Sequence, residues 1–139
     1  MGRALVLVAV VLAAVSPAAA VPPETRYGVF CWQMNPGLGF FNNERICFDV
    51  TVQATTPTLI VSLVGTYILN PSNPQDYLPV HGAAVFNPAT GEYHLEWELY
   101  SYGGTIASET FAAVLRGSFN GNYTGTRGHN GSMAFLGSS

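Results

Sequence analysis

Beyond residue 20 this chain carries almost no helical periodicity. Apolar and polar residues instead alternate through short runs, and proline, glycine and asparagine break the runs at close intervals. Alternation sends successive side chains to opposite faces of an extended strand. Eight such runs can be read: Tyr27–Met34, Ile46–Gln53, Leu59–Leu69, Tyr77–Phe86, Glu92–Tyr100, Thr110–Leu115, Ser118–Thr126 and Gly131–Leu136. Turn residues separate them at Asn35–Gly39, Thr55-Thr56-Pro57, Asn70–Pro74, Asn87–Gly91 and Tyr102-Gly103-Gly104, and Asn130-Gly131 is the strongest short hairpin signal in the chain. The expectation is an all-β fold: an eight-stranded antiparallel up-and-down barrel, with a two-sheet β-sandwich as the alternative. Pro79 lacks an amide hydrogen, which disfavours a fully paired central position in its strand.

Cys31 and Cys47 sharpen this expectation. In the first run Phe30, Trp32 and Met34 share one face, and Cys31 lies on the other. In the second run Ile46, Phe48, Val50 and Val52 share a face, and Cys47 is again opposite. If the two runs form a hairpin, a disulfide between the cysteines sets the register. Phe30 then stands across from Phe48 and Trp32 across from Ile46. An even cysteine count in an exported chain argues for such a bond.

Export itself is read from residues 1–20. Met1-Gly2-Arg3 is a short basic start, Ala4 to Val15 is an unbroken apolar run, and Ser16 to Ala20 ends in an Ala-x-Ala pattern. This is the form of a secretory signal peptide cleaved after Ala20, and the run is too short to span a bilayer. Residues 21–139 would then form a single domain, opening on the extended leader Val21-Pro22-Pro23. The expected location is extracellular or the bacterial periplasm. No other long apolar run follows, so no membrane association is expected after cleavage.

The mature chain would hold four arginines, no lysine and eight acids, a net charge of −4. That composition offers no basic patch for a phosphate backbone, which disfavours nucleic-acid binding. With 48 % of residues hydrophobic, the scarcity of charge does not signal disorder. Asn122-Tyr123-Thr124 and Asn130-Gly131-Ser132 fit the N-glycosylation acceptor pattern, which matters only in a eukaryotic host.

No catalytic constellation or cofactor motif emerges. Glu92, His94, Glu96 and Glu98 share a strand face, but the polar outer face of a barrel has the same pattern, and nothing nearby completes a metal set. His81 and His94 have no nucleophile motif beside them. Gly117, Gly121, Gly125, Gly128 and Gly131 do not join a strand to a helix, so they relieve crowding in a closed sheet and do not cradle a phosphate. The inward face is more telling. Trp32, Tyr67, Trp97, Phe111 and Tyr123 come from different strands and all fall in the inward phase. An eight-stranded barrel either fills itself with such side chains or holds one small ligand. Buried tyrosine hydroxyls and the Trp97 indole would need polar partners.

In Gly65-Thr66-Tyr67, Trp97, Ser108-Glu109-Thr110-Phe111 and Tyr123 the chain resembles the avidin and streptavidin family of calycin-like barrels. The resemblance implies an eight-stranded barrel in which Tyr67 contacts a ligand and Trp97 stacks on it. The chain departs from that family at Leu69, where a serine is expected, and in Gly131–Leu136, which holds no counterpart of the aspartate that grips biotin. The first loop, Asn35-Pro36-Gly37, echoes the family's pattern only in its asparagine. The likeness therefore supports the barrel more than biotin binding. The sequence reading is a non-enzymatic, exported barrel without cofactor or metal. It would bind a small, partly apolar ligand among Trp32, Tyr67, Trp97, Phe111 and Tyr123, and homo-oligomerisation is left open. The alternative is a filled barrel serving as a structural or protein-interaction module.

Overall fold

The computed structural model describes residues 24–54, 59–101 and 107–139. Their regular structure is all strand: β1 (Glu24–Asn35), β2 (Arg45–Ala54), β3 (Leu59–Ile68), β4 (Tyr77–Asn87), β5 (Glu92–Tyr100), β6 (Ala107–Leu115), β7 (Gly121–Gly125) and β8 (Asn130–Ser138). Each strand pairs antiparallel with the next, and β8 returns to β1, closing an up-and-down barrel rather than a sandwich. Closure leaves no unpaired sheet edge. The expected signal peptide, the expected Val21–Pro23 leader and the expected turns at Thr55–Pro57 and Tyr102–Gly104 lie outside the described residues.

The β1–β2 hairpin has the expected register. Cys31 pairs with Cys47, Phe30 with Phe48 and Trp32 with Ile46. The cysteines form a disulfide, with Cα atoms 4.1 Å apart. Such a bond points to an oxidising, non-cytosolic compartment. Among the described residues no helix is long and apolar enough to cross a membrane.

The barrel interior is lined by alternate residues of every strand, and its narrow bore shows in how large rings are accommodated. Phe48 stands across from Gly65, Trp97 from Gly82, Phe111 from Gly125 and Tyr123 from Gly131. A side chain at Gly65 would overlap the Cys47 carbonyl, and one at Gly82 the Glu96 carbonyl. Each ring therefore lies over a neighbouring strand that offers no side chain of its own. The result is a continuous line of ring contacts: Trp32–Phe48 at 6.2 Å, Phe48–Trp97 at 5.8 Å, Trp97–Phe111 at 5.4 Å and Phe111–Tyr123 at 6.0 Å.

Several strand and turn boundaries differ from the sequence reading, while Pro79 stands as expected. Asn130-Gly131 is not a turn but the start of β8, where Asn130 pairs with Thr124. The reversal lies at Thr126–His129, closed by hydrogen bonds from the Gly125 amide to the His129 carbonyl and from the Gly128 amide to the Gly125 carbonyl. Gly131 serves close packing against the Asn35 carbonyl instead. The seventh strand begins at Gly121 rather than Ser118, because Arg116–Asn120 closes a turn of its own. Pro79 pairs with Thr66 on β3, while the β4–β5 ladder starts one residue later at Val80, so its missing donor costs no bond there.

On β5, Leu95, Trp97 and Leu99 are buried, whereas His94 and Glu96 are exposed. Trp97→Ala is expected to destabilise the fold by about 3–5 kcal/mol in chemical denaturation, while Glu96→Ala stays near neutral. Reduction of Cys31–Cys47 should lower stability by about 3 kcal/mol, because it frees a short loop in the unfolded chain. Equal denaturation midpoints with and without reductant would contradict this.

Candidate ligand-binding site

The two ends of the barrel differ. At one end the segment between β1 and β2, residues 36–44, folds back into the bore. Glu44 organises it. Its side chain is fully buried. Its Oε1 accepts hydrogen bonds from the Leu38 amide and the Tyr67 hydroxyl, both at 2.6 Å. Its Oε2 accepts from the amides of Phe40 at 2.7 Å and Phe41 at 3.0 Å. A buried carboxylate is tolerated only when its lone pairs are met in this way. Gly37 sits at a left-handed φ of 76°, against Glu44 and the Tyr67 hydroxyl, where a side chain has no room. Its amide donates to the Tyr123 hydroxyl at 2.8 Å. Leu38 packs on the core beside them.

This segment supplies the polar partners that the inward tyrosines require. Burial, and then the hydrogen bond to Glu44, push the Tyr67 phenol far above its ordinary pKa, so it acts as a donor. Burial likewise raises Tyr123. Beneath them Trp97 stacks flat on Phe111, with 8° between the rings, and its indole nitrogen has no hydrogen-bond partner among the described residues. Of the residues expected to hold a ligand, Tyr67, Trp97, Phe111 and Tyr123 are thus brought together, but as a packed core closed by the Glu44 segment.

The other end, where β1, β3, β5 and β7 begin, contains a cavity of about 180 Å³. Trp32 lines it; the other four expected residues do not. Val50, Val52, Val61, Leu63, Ala84, Leu95 and Leu115 are its aliphatic members, and Tyr27, Phe30, Trp32, Phe86, Tyr93 and Phe119 its aromatic ones. Among the described residues no charged side chain lines it. The Trp32 indole, the most deeply placed polar group, donates to the Phe119 carbonyl at 2.7 Å. Tyr27, 59 % exposed, stands at the mouth. The cavity is below the roughly 300–1,000 Å³ of drug-sized pockets, but apolar cavities of roughly 150 Å³ take up benzene or xenon.

Sequence reasoning passed over Glu44 and the cavity role of Phe119. Glu44 is a lone acid after a Gly- and Asn-rich loop, with no periodic neighbour to mark it as buried. Phe119 was visible in the inward phase, but as part of a strand.

Elsewhere the titratable groups are dispersed. His81 Nε2 lies 3.9 Å from Glu98, which accepts from the Tyr100 hydroxyl at 2.8 Å. His94 Nε2 lies 3.4 Å from Glu92, which is half-buried because it also pairs with Arg116. At the closed end buried Glu109 lies 2.7 Å from His129 Nδ1 and accepts from the Arg127 amide at 3.1 Å, tying the β7–β8 turn to β6. Among the described residues no three of His, Cys, Asp and Glu converge on a common point. Comparison with protein-family models, with curated proteins and with solved structures finds no match to this chain.

Glu44→Ala would leave the part-buried amides of Phe40 and Phe41 and the buried Tyr67 hydroxyl without their acceptor, and the Leu38 amide with only the Tyr67 hydroxyl. It is expected to cost about 3 kcal/mol in urea denaturation. A loss below about 1 kcal/mol would show that the segment holds its place without the carboxylate.

Proposed function

We propose that this protein binds a small, uncharged, largely apolar molecule in the cavity at the open end of its barrel. The observation that carries this reading is the contrast between the two halves: one is packed with rings and closed by the Glu44 segment, while the other keeps an apolar void of about 180 Å³ at its mouth. A void of that size suits one ring or a short hydrocarbon chain. With no charge on its walls, the site selects by shape and apolar contact, each buried methylene contributing roughly 0.8 kcal/mol. The avidin likeness enters only as support for a ligand-holding barrel. Its expected contacts, Tyr67 and Trp97, lie in the filled half, away from the cavity. The reading is of a non-catalytic binding protein.

We also propose export, to the cell exterior or the bacterial periplasm. Residues 1–20 have the form of a signal peptide, and the disulfide supports an oxidising destination. Amino-terminal sequencing of secreted protein should begin at Val21.

A second reading, contacts with another protein or a second copy, draws on Phe40 and Phe41. They are 67 % and 45 % exposed while their amides are fixed on Glu44. Rigid exposed aromatics are common interface anchors. Concentration-dependent sedimentation that Phe40→Ser abolishes would favour it.

Trp32 borders the cavity and reports on it. Titration with benzene or indole should change tryptophan fluorescence saturably. Ala84→Phe, which places a ring in the void, should weaken binding by at least about tenfold with the fold intact. Native mass spectrometry of protein from its own host should show a retained small molecule. No saturable response in the wild type would count against the cavity reading.

A further inference from the structure

Two turns at opposite ends of the barrel share one geometry. In the β7–β8 turn the Gly125 amide donates to the His129 carbonyl, the Gly128 amide donates to the Gly125 carbonyl, and Gly128 takes a left-handed φ of 96°. In the β6–β7 turn the Arg116 amide donates to the Asn120 carbonyl at 3.0 Å, the Phe119 amide donates to the Arg116 carbonyl at 2.7 Å, and Phe119 takes a left-handed φ of 65°. The position demands glycine or asparagine by ordinary sterics. The chain meets the demand at Gly128 and not at Phe119. A bulky residue at such a position is an outlier that surrounding contacts must hold in place, and such outliers concentrate at functional sites.

What the ring does there is visible. It reaches from the turn into the cavity wall, contacting Tyr93 of β5 at 5.4 Å, Phe135 of β8 at 5.2 Å and Phe30 of β1 at 6.3 Å. The turn is anchored from below by the Trp32 bond to the Phe119 carbonyl, and at its start by the Arg116–Glu92 ion pair. The ring is therefore aimed by fixed backbone.

Resting on the cavity reading above, we infer that Phe119 is the specificity-determining residue of the site. Its ring bars the mouth, so occupants are compact apolar molecules that end beneath it, and long straight chains are excluded. The experiment compares wild type, F119G and F119N with straight-chain alcohols from butanol to dodecanol. Glycine and asparagine both suit the backbone, so the two variants check each other for folding, and both keep the carbonyl that Trp32 uses. Wild-type affinity should rise with chain length and then stop rising once the cavity is full. In both variants it should continue to rise, with dodecanol bound at least about tenfold more tightly than by wild type, the effect of burying roughly two further methylenes. Binding by the variants alone would show the same ring excluding every chain. F119W should shorten the longest chain that binds. Identical length profiles in wild type and both variants would overturn the inference while leaving the cavity reading in place. No binding by any of the proteins would overturn both.

Discussion

The bore of an eight-stranded barrel is fixed by strand number, and large side chains can enter it only where their neighbours yield. Here they yield as glycines: Gly65, Gly82, Gly125 and Gly131 stand across from Phe48, Trp97, Phe111 and Tyr123. That pairing packs a line of rings across the closed end and the middle of the barrel. The tyrosine hydroxyls at the head of this packing would be orphaned in an apolar interior. The segment carrying Gly37, Leu38 and Glu44 meets them with amides and a carboxylate. The closed end is closed by a segment of the chain itself, which provides partners for the Tyr67 and Tyr123 hydroxyls.

The open end follows from the same constraint. Past Trp32 and Phe48 the inward residues of β2 and β3 become Val50, Val52, Val61 and Leu63, side chains too short to meet across the bore, and Ala84 on β4 is smaller still. Phe119 joins the wall of this space from a turn, at a backbone conformation unfavourable for its type by roughly 1–2 kcal/mol. A residue that breaks the local rule without a gain in local structure has its explanation in the contacts of its side chain.

Much of the fold was legible because it rests on period-two alternation. The faces of β1, β2 and β5, the β1–β2 register and the disulfide all follow from which residues are odd and which even. Turn identity was less legible. Asn130-Gly131 carries a strong hairpin signal, yet the chain reverses a few residues earlier, at Gly128, and uses Gly131 for close packing. Phe119 hides a turn because no local rule expects phenylalanine at a left-handed position. The inward aromatics were identified from phase, but phase cannot say whether a ring borders space or fills it. That depends on what enters the bore from outside the strands. Here the segment around Glu44 enters one end, and it carries no periodic signature.

Among the described residues, the proposed ligand space lies at one end of the barrel, and packed rings and the Glu44 segment occupy the other. Methyl-resolved NMR during a benzene titration tests it directly. Saturable shifts are expected at Val50, Val61, Leu63 and Leu95, with Val80, Leu99 and Met133 unmoved. Shifts centred on Val80, Leu99 and Met133, or none at either set, would contradict it.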